Sequence, residues 1–162
     1  MDSSKAGVVK QLNWQIRPAS ADDLLQMQSL DRSSNALSSW KEADFISSLS
    51  GRYLTLVAEI NSDCELGGFV VASRVGDEGE IMNIAVAMAY RRQGLGRTLL
   101  KSVFQKLRSE AVRECFLDVR EHNACAIALY QSLGFVECGR RADYYPVADE
   151  REDALLMRLN LL

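Results

Sequence analysis

Asp118, Tyr130 and the run Arg91-Arg92-Gln93-Gly94-Leu95-Gly96-Arg97 are the residues of this chain whose types and spacing suit chemistry. Asp118 interrupts the otherwise apolar, β-leaning segment Cys115-Phe116-Leu117-Asp118-Val119-Arg120. A carboxylate there is costly unless it is paired, hydrogen-bonded or open to a cleft. Two readings stay open: an ion pair with Arg120 or another cation, and a general base. Tyr130 sits at helical spacing in Ala128-Leu129-Tyr130-Gln131-Ser132-Leu133-Gly134-Phe135. Periodicity alone favours a core-filling ring, while its phenol, with an ordinary pKa of about 10, can also act as a general acid. His122 is the other titratable candidate, but it stands beside a helix N-cap, where an exposed or structural role outweighs catalysis.

The arginine-glycine run follows Ile81-Met82-Asn83-Ile84-Ala85-Val86 and opens a segment in which Leu95, Leu99, Leu100, Val103, Phe104 and Leu107 recur at helical spacing. This predicts strand, glycine turn, helix. Glycines let the backbone approach a ligand closely, and the unsatisfied N–H groups and positive dipole end of the helix then face it. The expected ligand is an anion, a phosphate above all. A Walker P-loop is excluded, because one residue rather than four separates Gly94 from Gly96 and Arg97-Thr98 follows where Lys-Ser/Thr is required. A dinucleotide fingerprint would want a third glycine at Leu99 and a repeated βαβ unit, and neither is found.

The elements that must position these residues can be read in order. Trp14 to Arg17 is a short strand stopped by Pro18. Ser20 caps a helix with Leu24, Leu25, Met27 and Leu30 on one side and Asp22 and Asp23 in its first turn. After a Ser-rich joint, Ser39-Trp40-Lys41-Glu42 has a capping-box pattern for a second helix that closes at Gly51. The period then changes. Strands are predicted at Tyr53 to Ile60, Gly67 to Val75 and Glu80 to Ala87, with turns at Asn61-Ser62-Asp63 and at Gly76 to Gly79. The helix after the glycine run extends to about Ala111, and the Asp118 strand covers Cys115 to Arg120. Asn123 caps a helix from Ala124 to Leu133, stopped at Gly134. Phe135 to Gly139 and Ala154 to Leu161 are the last strands, separated by a polar loop, Arg140 to Asp153. The order β-α-α-β-β-β-α-β-α-β-β predicts an α/β fold, a mixed sheet with helices on both faces.

At 162 residues the chain has the length of one domain with a core of its own. A net charge of −3 argues against a general polyanion binder, so the arginine cluster reads as a ligand site and no direct nucleic-acid binding is expected. Met1 to Lys10 has no apolar signal-like core, and no apolar run reaches spanning length, which predicts a cytoplasmic protein with no membrane contact. Cys64, Cys115, Cys125 and Cys138 form no C-x-x-C pair and there is a single histidine, so no metal is expected. Cys115 and Cys125 lie in apolar surroundings and are read as reduced core thiols.

The Arg91-x-x-Gly94-x-Gly96 pattern resembles the signature of the GNAT N-acetyltransferases. The similarity narrows over residues 80 to 158. Asn83-Ile84-Ala85-Val86, Tyr90 to Leu100, Leu117 to Arg120, Asn123 to Tyr130, Leu133-Gly134-Phe135, Tyr144-Tyr145-Pro146 and Glu152-Asp153-Ala154 are similar to the bacterial ribosomal-protein S18 N-terminal alanine acetyltransferases. The resemblance implies a single-domain, GNAT-like, mostly antiparallel sheet over residues 13–162 after a loose tail at 1–12. It also implies acetyl-CoA as co-substrate, no metal, and a protein N-terminus, that of ribosomal protein S18, as acceptor. By the same resemblance Ile84, Ala85 and Val86 pair with the pantetheine arm. Arg91, Arg92, Gln93, Gly94, Leu95, Gly96 and Arg97 hold the pyrophosphate, and Asn123 contacts the cofactor. Asp118 falls on the base and Tyr130 on the acid that protonates the departing thiolate, while Trp40, Tyr144 and Tyr145 line the acceptor cleft. Three positions depart from the family pattern: Asp118 stands for the usual Glu, Ala87-Met88-Ala89 for Asp-Pro-x, and Ser39 for a proline. Acetylation of lysine side chains or small amines, and a non-catalytic acyl-CoA-binding module, are the alternative readings.

Overall fold

The structure is a computed structural model that describes residues 12–61 and 64–162. The tail expected at 1–12 therefore lies outside the described residues except for Leu12, which packs against the core. Ser62 and Asp63 of the first predicted turn lie outside them as well.

Among the described residues, seven strands form one sheet in the order β1-β2-β3-β4-β5-β7-β6. They are β1 (Trp14–Pro18), β2 (Tyr53–Ile60), β3 (Glu65–Val75), β4 (Glu78–Val86), β5 (Glu114–Arg120), β6 (Val136–Val147) and β7 (Glu150–Asn160). Among these strands, only β4 and β5 pair in parallel. The helices are α1 (Leu24–Ser34), α2 (Glu42–Ser48), α3 (Leu95–Ser109) and α4 (Ala124–Ser132).

Strand alternation divides the core between the two faces. Leu56, Ala58 and Ile60 of β2 and Val70 and Ala72 of β3 join the larger cluster, with the buried stripe of α3 from Leu95 to Leu107 and with Tyr130 of α4. Val57, Phe69 and Val71 point the other way, onto Met27 of α1 and Phe45 of α2. Buried on both sides, β3 reads as a continuous apolar run rather than an alternating one.

Four local expectations are corrected. Ser20 precedes a 3₁₀ turn, Ala21–Asp23, before α1 begins; its main-chain N–H donates to the Asp23 carboxylate at 2.8 Å, and Leu25 faces solvent, 76% exposed. The second helix is capped two residues later than predicted, with the Lys41 amide donating to Asp44 at 2.9 Å, and it ends at Ser48 rather than Gly51. The polar stretch 140–153 is not a loop but the end of a long β6-β7 hairpin. Its edge strand is mostly exposed and interrupted by bulges near Glu137 and Arg141, so no alternation marks it. Cys115 is buried as expected, but Cys125 is exposed.

Candidate active site

The cleft begins where two strands part. β4 and β5 pair only from Glu78 with Glu114 to Ile81 with Leu117, although β4 runs on to Val86 and β5 to Arg120. A register shift between β3 and β4, where Val71 opposes Asn83 and Ala72 opposes Ile81, adds one residue to β4 at that point. Such a bulge bends its strand and ends local pairing. The parted strands leave a cavity of about 170 Å³. Trp40, Ile84, Asp118, Asn123, Tyr130 and Tyr145, six residues singled out from sequence, all line it.

Asp118 lies in register with Leu156 of β7, on the less buried side of β5 that also carries Phe116 and Arg120. Its partner is Arg141 of β6, whose Nε donates to Oδ1 at 3.0 Å, and not Arg120. Arg120 instead pairs with Glu152, donates to Ser38 Oγ at 3.0 Å, and stacks 4.5 Å above the Tyr145 ring. Glu80, on β4, has a carboxyl raised above its usual range by burial and by the nearby Asp118 charge. Burial pushes the Tyr130 hydroxyl up to about 12, since the phenolate would have to be formed away from water. Tyr145 is likewise pushed up to about 12, first by burial and then by Asp118. Tyr144 stands outside the lining residues, edge-on to Tyr145 with ring centroids 5.0 Å apart. His122 is exposed, with Nδ1 3.0 Å from Glu152, and does not line the cleft.

The glycine run forms the start of α3, as predicted. Gly94 takes the left-handed conformation, φ +86°, and caps the helix. Thr98 is the first residue whose amide returns to the turn, donating to Gly94 O at 3.0 Å. Helix geometry leaves the amides of Leu95, Gly96 and Arg97 pointing out of the helix end. Arg91 and Arg97 also brace this end. Arg91 donates to Val86 O at 2.9 Å and Ser34 Oγ at 3.1 Å, and Arg97 to Ser132 Oγ at 2.7 Å. Gln93 donates to Ala89 O at 3.1 Å, while Arg92, at φ +62°, has Nη1 3.8 Å from Cys125 Sγ. Asn123 caps α4 by accepting from the Ala126 amide at 3.2 Å.

Sequence reasoning gave no role to Asp31, Asn35 and Ser38, which line the same cleft. Asp31 carried a usable signal: it follows Leu24 and Met27 at i+7 and i+4, on the buried stripe of α1.

A sheet opened between two parallel strands, beside a phosphate-suited helix start and a carboxylate with a buried phenol, is the architecture of an acyl transferase fed by a nucleotide-linked donor. The chain belongs to the acetyltransferase (GNAT) family, whose profile matches residues 21–135. It is 43% identical over 120 residues to the [ribosomal protein bS18]-alanine N-acetyltransferase of Escherichia coli K12, covering 74% of this chain and 80% of that one. The Haemophilus ducreyi protein of the same name is 30% identical over 75% of this chain and 83% of its own. The crystal structure of the E. coli ribosomal-protein-S18-alanine N-acetyltransferase superposes with a TM-score of 0.85, at 38% identity, over 92% of this chain and 94% of that one. Arabidopsis thaliana NAA60 in complex with acetyl-CoA shares the fold, with a TM-score of 0.81 at 21% identity over 91% of this chain and 98% of that one. The chain is thus an N-acetyltransferase whose co-substrate is acetyl-CoA. Among the described residues no cluster of His, Cys, Asp and Glu suits a metal, and no helix is long and apolar enough to cross a membrane.

Proposed function

We propose that this enzyme acetylates the α-amine of a protein N-terminus, with the N-terminal alanine of ribosomal protein S18 as its acceptor, in the cytoplasm. The observation that carries the reading is the 43% identity, over 120 residues, to an enzyme named for that reaction.

The residues fit the co-substrate. The unpaired edge of β4 at Ile84, Ala85 and Val86 suits an extended amide-bearing arm, and the amides of Leu95, Gly96 and Arg97 with Arg92 suit a pyrophosphate. Arg91, Gln93 and Gly94 shape that helix end, and Asn123 stands across the cleft. Acetyl-CoA supplies the activated acetyl group. Asp118 takes the proton of the acceptor nitrogen, directly or through water, and an α-amine of pKa about 8 asks less of a short carboxylate than a lysine near 10.4 does. Burial pushes Tyr130 up to about 12, so its hydroxyl is protonated near neutral pH and available as a donor to the departing sulfur. Because a thiol has a pKa of only about 8.5, far below that of the buried phenol, Tyr130 acts mainly by hydrogen bonding to the developing charge. Trp40 and Tyr145 flank the acceptor, and Tyr144 supports Tyr145 from outside.

The test is acetyl-CoA-dependent mass gain on three acceptors: a peptide with the S18 N-terminus, the same peptide N-blocked but containing lysine, and a polyamine. Mass gain confined to the free α-amine is expected. Modification of the lysine or the polyamine reassigns the acceptor, and no transfer with acetyl-CoA still bound favours a non-catalytic acyl-CoA-binding module.

A further inference from the structure

The segment between α1 and α2, which carries Trp40 into the cleft, is tied to α1 and β4 through one buried carboxylate, in addition to the bond from Arg120 to Ser38 Oγ. Asp31 is 1% exposed, in the last turns of α1. Three N–H groups converge on it: the main-chain amide of Trp40 donates to Oδ2 at 2.7 Å, and the side-chain amides of Asn35 and Asn83 donate to Oδ1 at 2.9 and 3.1 Å. All three donors are neutral. A buried carboxylate so solvated is an expensive way to fill a helix stripe, since an apolar residue there would avoid the desolvation altogether. Its geometry is what an apolar residue cannot supply. Asn83 sits at the bulge where β4 leaves β5, one residue before the proposed donor-binding edge, whereas Trp40 and Asn35 belong to the segment after α1 that lines the same cleft.

We infer that Asp31 is a positioning residue for acetyl transfer, fixing the Trp40 segment against β4 so that the acceptor nitrogen meets the donor at reacting distance. The inference rests on the proposed use of this cleft by an amine acceptor. Misplacement of about 1 Å between reacting groups can cost about a hundredfold in rate, so a clamp joining that segment to β4 bears directly on turnover. Donor affinity should not depend on it, because the β4 edge is held independently by pairing with β3 and by Arg91 on Val86 O.

The full chain carrying Asp31→Asn, Asn83→Ala or both tests this. Asparagine keeps the shape and one acceptor oxygen but turns an NH₂ group toward a donor. With peptide acceptor, Asp31→Asn is expected to lower kcat/KM by about ten- to a hundredfold, the effect of losing hydrogen bonds to a charged group. Asn83→Ala should lower it less, and acetyl-CoA Kd should stay within about twofold in each. The double variant should be little worse than Asp31→Asn alone, because both changes break the same clamp. Unchanged acceptor kcat/KM in folded protein overturns the inference, as does a parallel rise in acetyl-CoA Kd, which would mark general loosening. If Asp31→Asn does not fold, Asn83→Ala decides alone. Wild type is assayed beside them on α-amine and lysine peptides, and the variants are scored on whichever it uses. Use of lysine would overturn only the proposed function, while a wild type inert on both peptides would overturn both readings.

Discussion

Tyr130 and Asp118 share one cleft, and burial holds the proton on the Tyr130 hydroxyl. Tyr130 is 7% exposed and packs edge-on against Phe135 with centroids 5.8 Å apart, so its ring belongs to the core while its hydroxyl faces the cavity. The core reading of this residue is met, and its place at the cavity is what the proposed donor role requires. Tyr130→Phe keeps the packing and removes only the donor. It is expected to lower kcat by about a hundredfold with acetyl-CoA Kd unchanged, and equal turnover would remove Tyr130 from the chemistry. Asp118→Asn, measured in the same assay, is expected to lower kcat/KM by a similar factor of about a hundred, and it also releases Arg141. Asp118 was legible because a charge in an apolar strand demands an explanation. Its partner was not, because Arg141 lies 23 residues away on an edge strand whose polar sequence resembles a loop.

At the scale of the elements, the site depends on where β4 sits, and one glycine of β3 controls that. A Cβ on Gly68 would stand 2.7 Å from the main-chain oxygen of Ala85, in the middle of the proposed donor-binding edge. Backbone cannot rotate away as a side chain can, so Gly68→Ala should push β4 outward. The expected result is a loss of stability of about 2 kcal/mol and a raised acetyl-CoA Kd, read by thermal melting and titration. Gly94 is constrained differently, since no atom crowds its Cβ position but its φ of +86° is unfavourable for any branched residue. Gly94→Val should thus weaken acetyl-CoA binding by distorting the helix start, and unchanged affinity would count against the phosphate assignment. The order of elements and most boundaries could be read from periodicity and turn residues. The bulge in β4 could not. Ile81 and Ile84 both pack on the larger cluster although three residues apart, and only pairing with β3 shows the extra residue between them.

For the molecule as a whole, the titrating groups confine stability to a neutral window. On the alkaline side Cys115 is raised from 9.0, and Tyr130 and Tyr145 from 10.0, each to about 12 and each chiefly by burial. The folded chain holds protons there that the unfolded chain releases. Their contribution is complete below about pH 9 and is lost as pH rises toward 12. On the acid side Asp23 is held below its usual range by Arg17, which donates to both of its oxygens at 2.8 Å. Glu152 is held low by the His122 amide and Asp153 by the Asp143 amide. Their stabilisation is present above about pH 4 and is lost as pH falls through the depressed folded values. Glu80, raised by burial, works against them in its own range. Tm is therefore expected to be nearly flat from about pH 5 to 8 and to fall on both sides. Two variants separate the limbs. Cys115→Val should soften only the alkaline fall, because it removes the thiol that would ionise first on unfolding. Asp23→Asn should cost about 2 kcal/mol at neutral pH and flatten only the acid fall, since it weakens the Arg17 pair. If Cys115→Val leaves the alkaline limb where it was, the buried thiol does not set it, and the two tyrosines, both in the walls of the cleft, must.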